Sequence, residues 1–324
     1  MDHDLILIGA GPAGLSLARA LRGSGLRICM LEQQPLAAVQ TPAFDGREIA
    51  LTQHSAQLMR QLGLWQRLGE ANIAPLKDAL VLDGGAGRGQ QRMVISHALS
   101  PKPELGFLVA NHHIRRAAFE AAMAPADETG DAPELRCGQQ VTQIHSDEHA
   151  AHLQLASGER LSAPLVVAAD SRHSSTRRAM GIPADMHDYG RTMLVCNMTH
   201  EQPHHETAWE WFDHGQTLAL LPMNPDPASG LPRSSVVLTL PSQELLPLMD
   251  LAEAAFNDEM TRRFSAQLGA MRLVSTRHAY PLVGVWARRL VARRFAVVGD
   301  AAVGMHPVTA HGFNPVSYTH LTLP

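Results

Sequence analysis

The sequence predicts an α/β fold in which a parallel sheet is interleaved with a separate antiparallel sheet. Three observations carry this prediction. Leu5, Ile6, Leu7 and Ile8 form a short apolar run, followed by Gly9, Gly11 and Gly14 at the G-x-G-x-x-G spacing. Two distant apolar runs, Leu165–Ala169 and Phe295–Val298, lead into Asp170 and into Gly299-Asp300. From Arg191 to Leu240 the texture changes to short β-rich runs separated by turn residues, as in an antiparallel sheet.

The glycines have separate tasks. Gly9 permits the tight turn out of the strand, Gly11 lets backbone approach a pyrophosphate, and Gly14 lets the following helix lie close on the sheet. The free N–H groups and positive dipole end of that helix then meet the phosphates. Glu32 ends the next apolar run, Leu26–Leu31, where a carboxylate can accept hydrogen bonds from a ribose diol. Strand, glycines, helix, strand and terminal acid in this order point to dinucleotide binding. A second Gly-Asp turn nearly 290 residues after the first glycine suits a long cofactor touched at several places.

Composition bounds the rest. A chain of 324 residues holds one large or two modest domains, and 45% hydrophobic with 18% charged residues reads as globular. A formal net charge of -4 gives no electrostatic case for nucleic acid. Cys29, Cys137 and Cys196 are too few and too scattered for a disulfide framework or a CxxC metal site, so a reducing, cytoplasmic setting is expected. Of the 18 histidines, His112-His113 and His204-His205 are adjacent pairs rather than i, i+4 pairs on one helix face, none has a clear metal-site partner, and no metal is expected. No run reaches the length of a membrane-spanning helix, which leaves peripheral attachment, at the inner membrane, as the form of membrane contact to expect.

In chain order, Asp45-Gly46-Arg47-Glu48-Ile49-Ala50-Leu51 precedes a helical pattern over Ser55–Leu68, and Arg47 is either a phosphate-holding guanidinium or a solvated loop arginine. Leu76–Leu82 reads as a strand. Gly106–Asn111 leads into a helix from His112 to Met123 that carries Arg115. Leu135–Ile144 and Ala151–Leu155 read as a meander turning at Ser157-Gly158. Asp170 either presents its carboxylate to a ligand or caps the helix that follows. Trp209 and Trp211 share one face of a strand, as pocket wall or as packing beneath the sheet's cover. Ser242–Leu268 is helical.

Three separated blocks, Gly9-Ala-Gly-Pro-Ala-Gly14 with Glu32, Ala169-Asp170-Ser-Arg-His-Ser-Ser-Thr-Arg177, and Gly299-Asp300-Ala-Ala through Pro307 and Gly312, resemble the FAD-dependent aromatic-ring monooxygenases. Ser171 departs from that pattern, which has glycine after the aspartate. Asp45–Leu51, Asn111 and Gly312-Phe-Asn314 look like the ubiquinone-biosynthesis hydroxylases, and Val303–Asn314 like the 5-demethoxyubiquinol 5-hydroxylase branch. The resemblance implies a Rossmann-like FAD-binding domain over 1–75, 105–180 and 285–315, with an interleaved substrate domain over 76–104 and 181–284. It implies that Gly9, Gly11 and Gly14 hold the FAD pyrophosphate, Glu32 the adenosine ribose and Asp300 the ribityl chain. Arg47, Asn111 and Arg115 would line the cofactor groove, Asp170 would face FAD and its reduction by NAD(P)H, and Gly312 and Asn314 would lie beside the flavin ring. The implied reaction hydroxylates a prenylated phenol or quinol with O2 through a flavin C4a-hydroperoxide. No general base is implied; His306 and His311 are candidates by proximity only. A ubiquinone-biosynthesis complex is an expected partner. A silent flavoprotein scaffold and a flavin halogenase are the rival readings, although Trp209-Glu-Trp211 continues into Phe212-Asp213 rather than the Ile-Pro of halogenases.

Residues 316–324 look like a translated sequencing adapter and are expected to be non-native. Loss of a helix starting near Asn314 is expected to weaken the grip on the flavin.

Overall fold

The computed structural model describes residues 3–85, 90–125, 131–213, 215–305 and 314. Its first layer is a six-stranded sheet in the order Val291–Ala292, Phe295–Val297, Leu165–Ala168, Leu5–Ile8, Ile28–Glu32 and Glu134–Cys137. All neighbours run parallel except the short Val291–Ala292 edge. The strands are apolar on both faces because both faces are covered. Leu5, Leu7 and Met30 pack with Ala18, Ile114, Ala117 and Ala118 of the helices Pro12–Ala20 and Asn111–Ala122. Ile6, Ile8, Cys29 and Leu31 pack with Ile144, Leu153 and Leu155 of a three-stranded antiparallel meander.

That meander differs from the expected one. Its strands are Val141–Ser146, Ala151–Leu155 and Arg160–Ala163, and the Leu135–Ile144 run is divided between two sheets. Gly138, at φ 72°, turns the chain between them, so Glu134–Cys137 is free to pair with Cys29–Glu32. The Leu76–Leu82 run is likewise split: Ile73–Leu76 pairs in a small sheet with Gly106–Ala110 and Glu48–Thr52, while Asp78–Asp83 enters the largest sheet.

The largest sheet has nine strands among the described residues, with Ala184–His200 near its centre, between His278–Ala287 and Arg233–Pro241. Beyond these come Gln216–Met223, Thr207–Asp213, Asp78–Asp83 and the edge strand Gln91–Ser96. The period of two decides which side each residue takes. Leu194, Cys196, Met198, Trp211, Leu218 and Leu238 pack under the helices Ser242–Asp250 and Glu253–Arg263, against Leu245, Phe256 and Met260. Val195, Asn197, Ser235, Val237, Ala219 and Glu210 therefore share the opposite face. Trp211 is 1% exposed and its indole N–H donates to the Gly84 carbonyl at 2.7 Å, so the tryptophan face packs against the sheet's own cover and does not wall a pocket.

The glycine loop is the tightest point of the parallel layer. A Cβ on Gly14 would stand 2.1 Å from the Gly9 carbonyl oxygen, and one on Gly9 2.6 Å from the Ala169 carbonyl oxygen. Gly14→Ala should therefore lower stability by about 1–3 kcal/mol, the range for forced overpacking. A denaturant midpoint unchanged from that of the unsubstituted chain would contradict this packing.

Candidate cofactor site at the strand ends

The C-terminal ends of the parallel strands converge on the glycine loop through backbone hydrogen bonds. Gly9 N–H donates to Leu31 O at 2.8 Å, Ala169 N–H to Ile8 O at 2.7 Å, and Val298 N–H to Ala168 O at 2.9 Å. Glu32 braces the loop: its carboxylate accepts Ala10 N–H at 2.7 Å and Gln34 N–H at 2.9 Å. The helix Pro12–Ala20 begins without a side-chain cap and without an acid in its first turn. Its first N–H groups thus have no side-chain acceptor. A Cβ on Gly11 would meet nothing within 4 Å. The fold uses Gly9 and Gly14 for its own packing, whereas Gly11 opens onto space, which is the fit required for a pyrophosphate lying on the helix end.

Asp170 follows the third of these strands. One of its carboxylate oxygens accepts Ser174 Oγ–H at 2.9 Å and Thr176 Oγ1–H at 3.1 Å; the other, Oδ1, is buried without a partner. Ser174 itself caps the helix Ser175–Ala179 by accepting Arg177 N–H, so Asp170 acts one step behind the cap. An unpaired buried carboxylate oxygen calls for a donor from a ligand or solvent. Arg177 is a residue whose part sequence reasoning missed. It is 1% exposed, and its guanidinium donates to Arg172 O at 3.2 Å and Ala301 O at 2.7 Å, tying the Asp170 block to the Gly299–Ala301 turn. The missed signal was the Arg that closes that block. Asp300 is half-exposed and pairs with Arg172 at 3.4 Å. Ser171 has no positive φ, so the backbone does not require the family's glycine there.

A second group gathers around Asp45. Arg47 donates Nε and Nη2 to the Asp45 carboxylate at 3.1 and 2.6 Å, and Asn111 Nδ2 donates to it at 2.8 Å. Tyr280 donates its hydroxyl to the Asp45 carbonyl at 2.6 Å, and the Arg47 guanidinium lies 5.4 Å from its ring centroid. Burial works to raise the Asp45 pKa, but Arg47 and Asn111 outweigh it and hold the carboxyl below its ordinary value. Arg115, one turn along the helix from Asn111, contributes positive charge near His112, whose pKa is lowered chiefly by burial against Phe44. Asn314 sits on the same small sheet: its Oδ1 accepts Thr52 N–H at 3.1 Å and Ser55 Oγ–H at 2.7 Å, and its Nδ2 donates to Ala50 O at 2.9 Å. Gly312, His306, His311 and the 316–324 tail lie outside the described residues.

Two carboxyls went unnoticed in the sequence. Burial pushes the Glu48 pKa up to about 8, against the opposing effects of Arg233 and Asn197, and its Oε1 is buried without a partner. Burial alone pushes Glu210 up to about 7. Neither signal is local in sequence, because each depends on which sheet covers the residue. Far from both groups, His3, Cys29 and Glu134 bring their ligand-type atoms within 4.8 Å of one another. His3 Nε2 and Glu134 Oε2 are 2.7 Å apart, and burial pushes the Cys29 thiol up to about 12, so this cluster is a hydrogen-bonded pair above a protonated thiol.

The FAD-binding family, described as FAD binding domain, matches residues 2–317. The chain belongs to this family of flavin-binding proteins. It is 42% identical over 318 residues to the ubiquinone hydroxylase UbiM of Neisseria meningitidis, covering 97% of the chain and 66% of the relative. It is 33% identical over 312 residues to the ubiquinone hydroxylase UbiL of Rhodospirillum rubrum, covering 96% and 69%. The chain thus spans about two thirds of the length of these relatives. The 3-demethoxyubiquinol 3-hydroxylase of Escherichia coli is 25% identical over 312 residues, covering 96% of the chain and 76% of the relative. Among solved structures, PqsL of Pseudomonas aeruginosa in complex with 2-aminobenzoylacetate matches with a TM-score of 0.79 at 21% identity, covering 98% of this chain and 84% of that one. That match concerns the fold alone.

The two unpartnered features give two predictions. Gly11→Ala should leave the denaturation midpoint in place yet weaken FAD binding at least about tenfold, because the added methyl fills only ligand space; equal FAD titrations for both chains would remove Gly11 from the cradle. Glu48 has a raised folded-state pKa, so its burial costs stability progressively as pH rises from 4.5, its ordinary value, to about 8. Glu48→Gln should therefore gain on the unsubstituted chain between about pH 5 and about pH 8.5. Parallel stability curves over that range would refute the assignment.

Proposed function

We propose that the chain carries out FAD-dependent hydroxylation of an aromatic ring in a prenylated ubiquinone precursor, with O2 and NAD(P)H as co-substrates. The observation that supports this best is the open space at Gly11, set above an uncapped helix end where three distant sequence blocks meet. The two ubiquinone hydroxylases among the relatives supply the substrate class. FAD, when bound and reduced, supplies the activation of O2 that transfers one oxygen atom to an electron-rich ring.

The roles of the chain's own groups follow from their places. Gly9, Gly11 and Gly14 receive the pyrophosphate, and Glu32 keeps acceptor capacity beyond its two N–H partners for a ribose hydroxyl. Asp170 and Asp300 approach from the neighbouring strand ends. Arg47, Asn111 and Arg115 line the groove, with Asp45 holding the first two in place, and Asn314 with Gly312 borders the ring. In this reading 1–75, 105–180 and 285–315 form the cofactor domain, while 76–104 and 181–284 form the substrate domain, whose free sheet face closes the site and excludes water.

The same reading includes peripheral membrane contact, where a prenylated substrate resides, and docking in a biosynthetic complex. Among the described residues no helix is long and apolar enough to cross a membrane. The outer strand of the largest sheet exposes Met93, Val94 and Ile95, and Leu99 beyond it is 89% exposed. An apolar edge strand of this kind is costly in water and suits an interfacial position.

Two measurements test these statements. NAD(P)H oxidation by the FAD-loaded chain should rise with a demethoxy-type prenylated quinol and yield the ring-hydroxylated product; bound flavin without turnover of any phenol would favour a scaffold, and halide incorporation a halogenase. Replacing both Ile95 and Leu99 by Lys should reduce sedimentation with neutral phosphatidylcholine vesicles about tenfold while leaving flavin content unchanged, since each apolar side chain contributes on the order of 1–2 kcal/mol of burial. Undiminished sedimentation would defeat the edge-strand contact.

A further inference from the structure

The free face of the largest sheet holds a concentration of buried polar atoms that the cofactor groove does not use. Asn197 and Ser235 are register partners on adjacent strands and point to the same side, 6% and 0% exposed. Asn197 Oδ1 and Ser235 Oγ are both buried without a hydrogen-bond partner. Glu48 comes to this face from the small sheet, opposite Ala110 in register, with its carboxyl facing the Asn197 amide and its Oε1 also unpartnered. Of the seven such orphan atoms among the described residues, three are therefore gathered here. Burying polar groups unpaired is costly, so three in one place mark a position that another molecule's polar group completes.

We propose that Glu48, Asn197 and Ser235 form a receptor for one ring hydroxyl of the aromatic substrate, with Glu48 taking that hydroxyl's proton. The proposal rests on the monooxygenase reading and deepens it. Chemically the step is a proton transfer. The substrate O–H bond breaks heterolytically, its electron pair stays on oxygen, and the proton forms a new O–H bond on Glu48 Oε1; no electron leaves or enters. The phenolate is the more electron-rich ring, which is what oxygen transfer requires. Ser235 Oγ and the newly protonated Glu48 are the donors available to the phenolate oxygen, while the Asn197 amide holds the Glu48 carboxyl in place, and the proton returns when product leaves.

The surroundings suit a proton acceptor that works at mildly alkaline pH. Arg233, on the strand Arg233–Pro241, acts on Glu48 by charge and favours its ionised form, while Asp45, in the loop before Glu48, opposes it. Arg47 is turned onto Asp45, and Tyr280 is engaged with the Asp45 carbonyl. His278 stacks on Tyr280 and shares a hydrogen bond with Thr276. Burial sets the outcome at about 8, within reach of a phenol's own range.

The test compares the FAD-loaded chain with Glu48→Leu, Glu48→Gln, Asn197→Leu and Ser235→Ala. The probes are 2-methoxyphenol and its methyl ether, 1,2-dimethoxybenzene, with dissociation constants read by equilibrium dialysis. The unsubstituted chain should favour the phenol about tenfold or more, and Glu48→Leu should bring the ratio within about twofold. Asn197→Leu and Ser235→Ala should each lower it about threefold. Glu48→Gln should keep part of the preference yet lose the rise of kcat/KM between about pH 7 and about pH 9 that the unsubstituted chain shows. An undiminished ratio in Glu48→Leu that retains FAD overturns the receptor. If Glu48→Leu loses FAD, undiminished ratios in Asn197→Leu and Ser235→Ala overturn it equally. Absence of turnover on every phenol would defeat the monooxygenase reading instead, and the binding ratios would still decide the receptor.

Discussion

The structure depends first on how closely the backbone of the glycine loop is pressed between its neighbours. The space where Gly9 would carry a Cβ is taken by the Ala169 carbonyl, and the space where Gly14 would carry one is taken by the Gly9 carbonyl. Helix Pro12–Ala20 and strand Leu165–Ala168 can approach together only with both positions empty. That approach fixes the rest of the layer. With Leu5 opposite Leu165 and Val166 opposite Phe295, Asp170 and the Gly299–Ala301 turn emerge at the same level as the loop. Arg177 then locks those two together from inside, and its lowered pKa reflects the burial needed to do so.

A second close approach joins the two halves of the site. Gly46, at φ 73°, lies where a Cβ would stand 2.8 Å from the His278 ring and 2.9 Å from Val195. The Asp45–Glu48 segment therefore rests directly on the free face of the largest sheet. Asp45 is the hub: its side chain gathers Arg47 and Asn111 from the small sheet side, and its carbonyl receives Tyr280 from the large one. Without that contact Arg47 would be the solvated loop arginine that its local sequence equally permits.

Legibility followed the range of the interactions. The placement of Gly9, Gly11, Gly14 and Glu32 at the strand ends was readable because a single strand–loop–helix–strand unit carries the whole physical requirement, and that of Asp170 and Asp300 because each follows an apolar run. Leu135–Ile144 was misread since its hydrophobic pattern is continuous, and the division at Gly138 depends on a pairing with Cys29–Glu32 more than 100 residues earlier. Trp209 and Trp211 were assignable to one face but not to an environment, because period two gives alternation and not the identity of the covering layer. Glu48 stood inside the Asp45–Leu51 motif with no sign that it would be buried. A glutamate among Asp45, Arg47 and apolar neighbours looks like any solvated charge until a second sheet is laid over it.

The contrast between the two faces of the largest sheet carries the last step. On the helix-covered face, Leu194, Cys196, Met198, Val236 and Leu238 fill a core whose few polar atoms are paired, Trp211 N–H with Gly84 O and His200 with Ser234 Oγ. On the other face the same strands, one residue out of step, place Asn197 and Ser235, and the small sheet adds Glu48. Apolar residues at these positions would pack as well and remove three unsatisfied groups, so folding alone gives no reason to keep them. Fold stability is thus concentrated in one face, and the other is free to hold strained polar chemistry against the cofactor groove. A chain built this way tolerates a buried Glu48 because the helices Ser242–Asp250 and Glu253–Arg263 secure the sheet independently from behind.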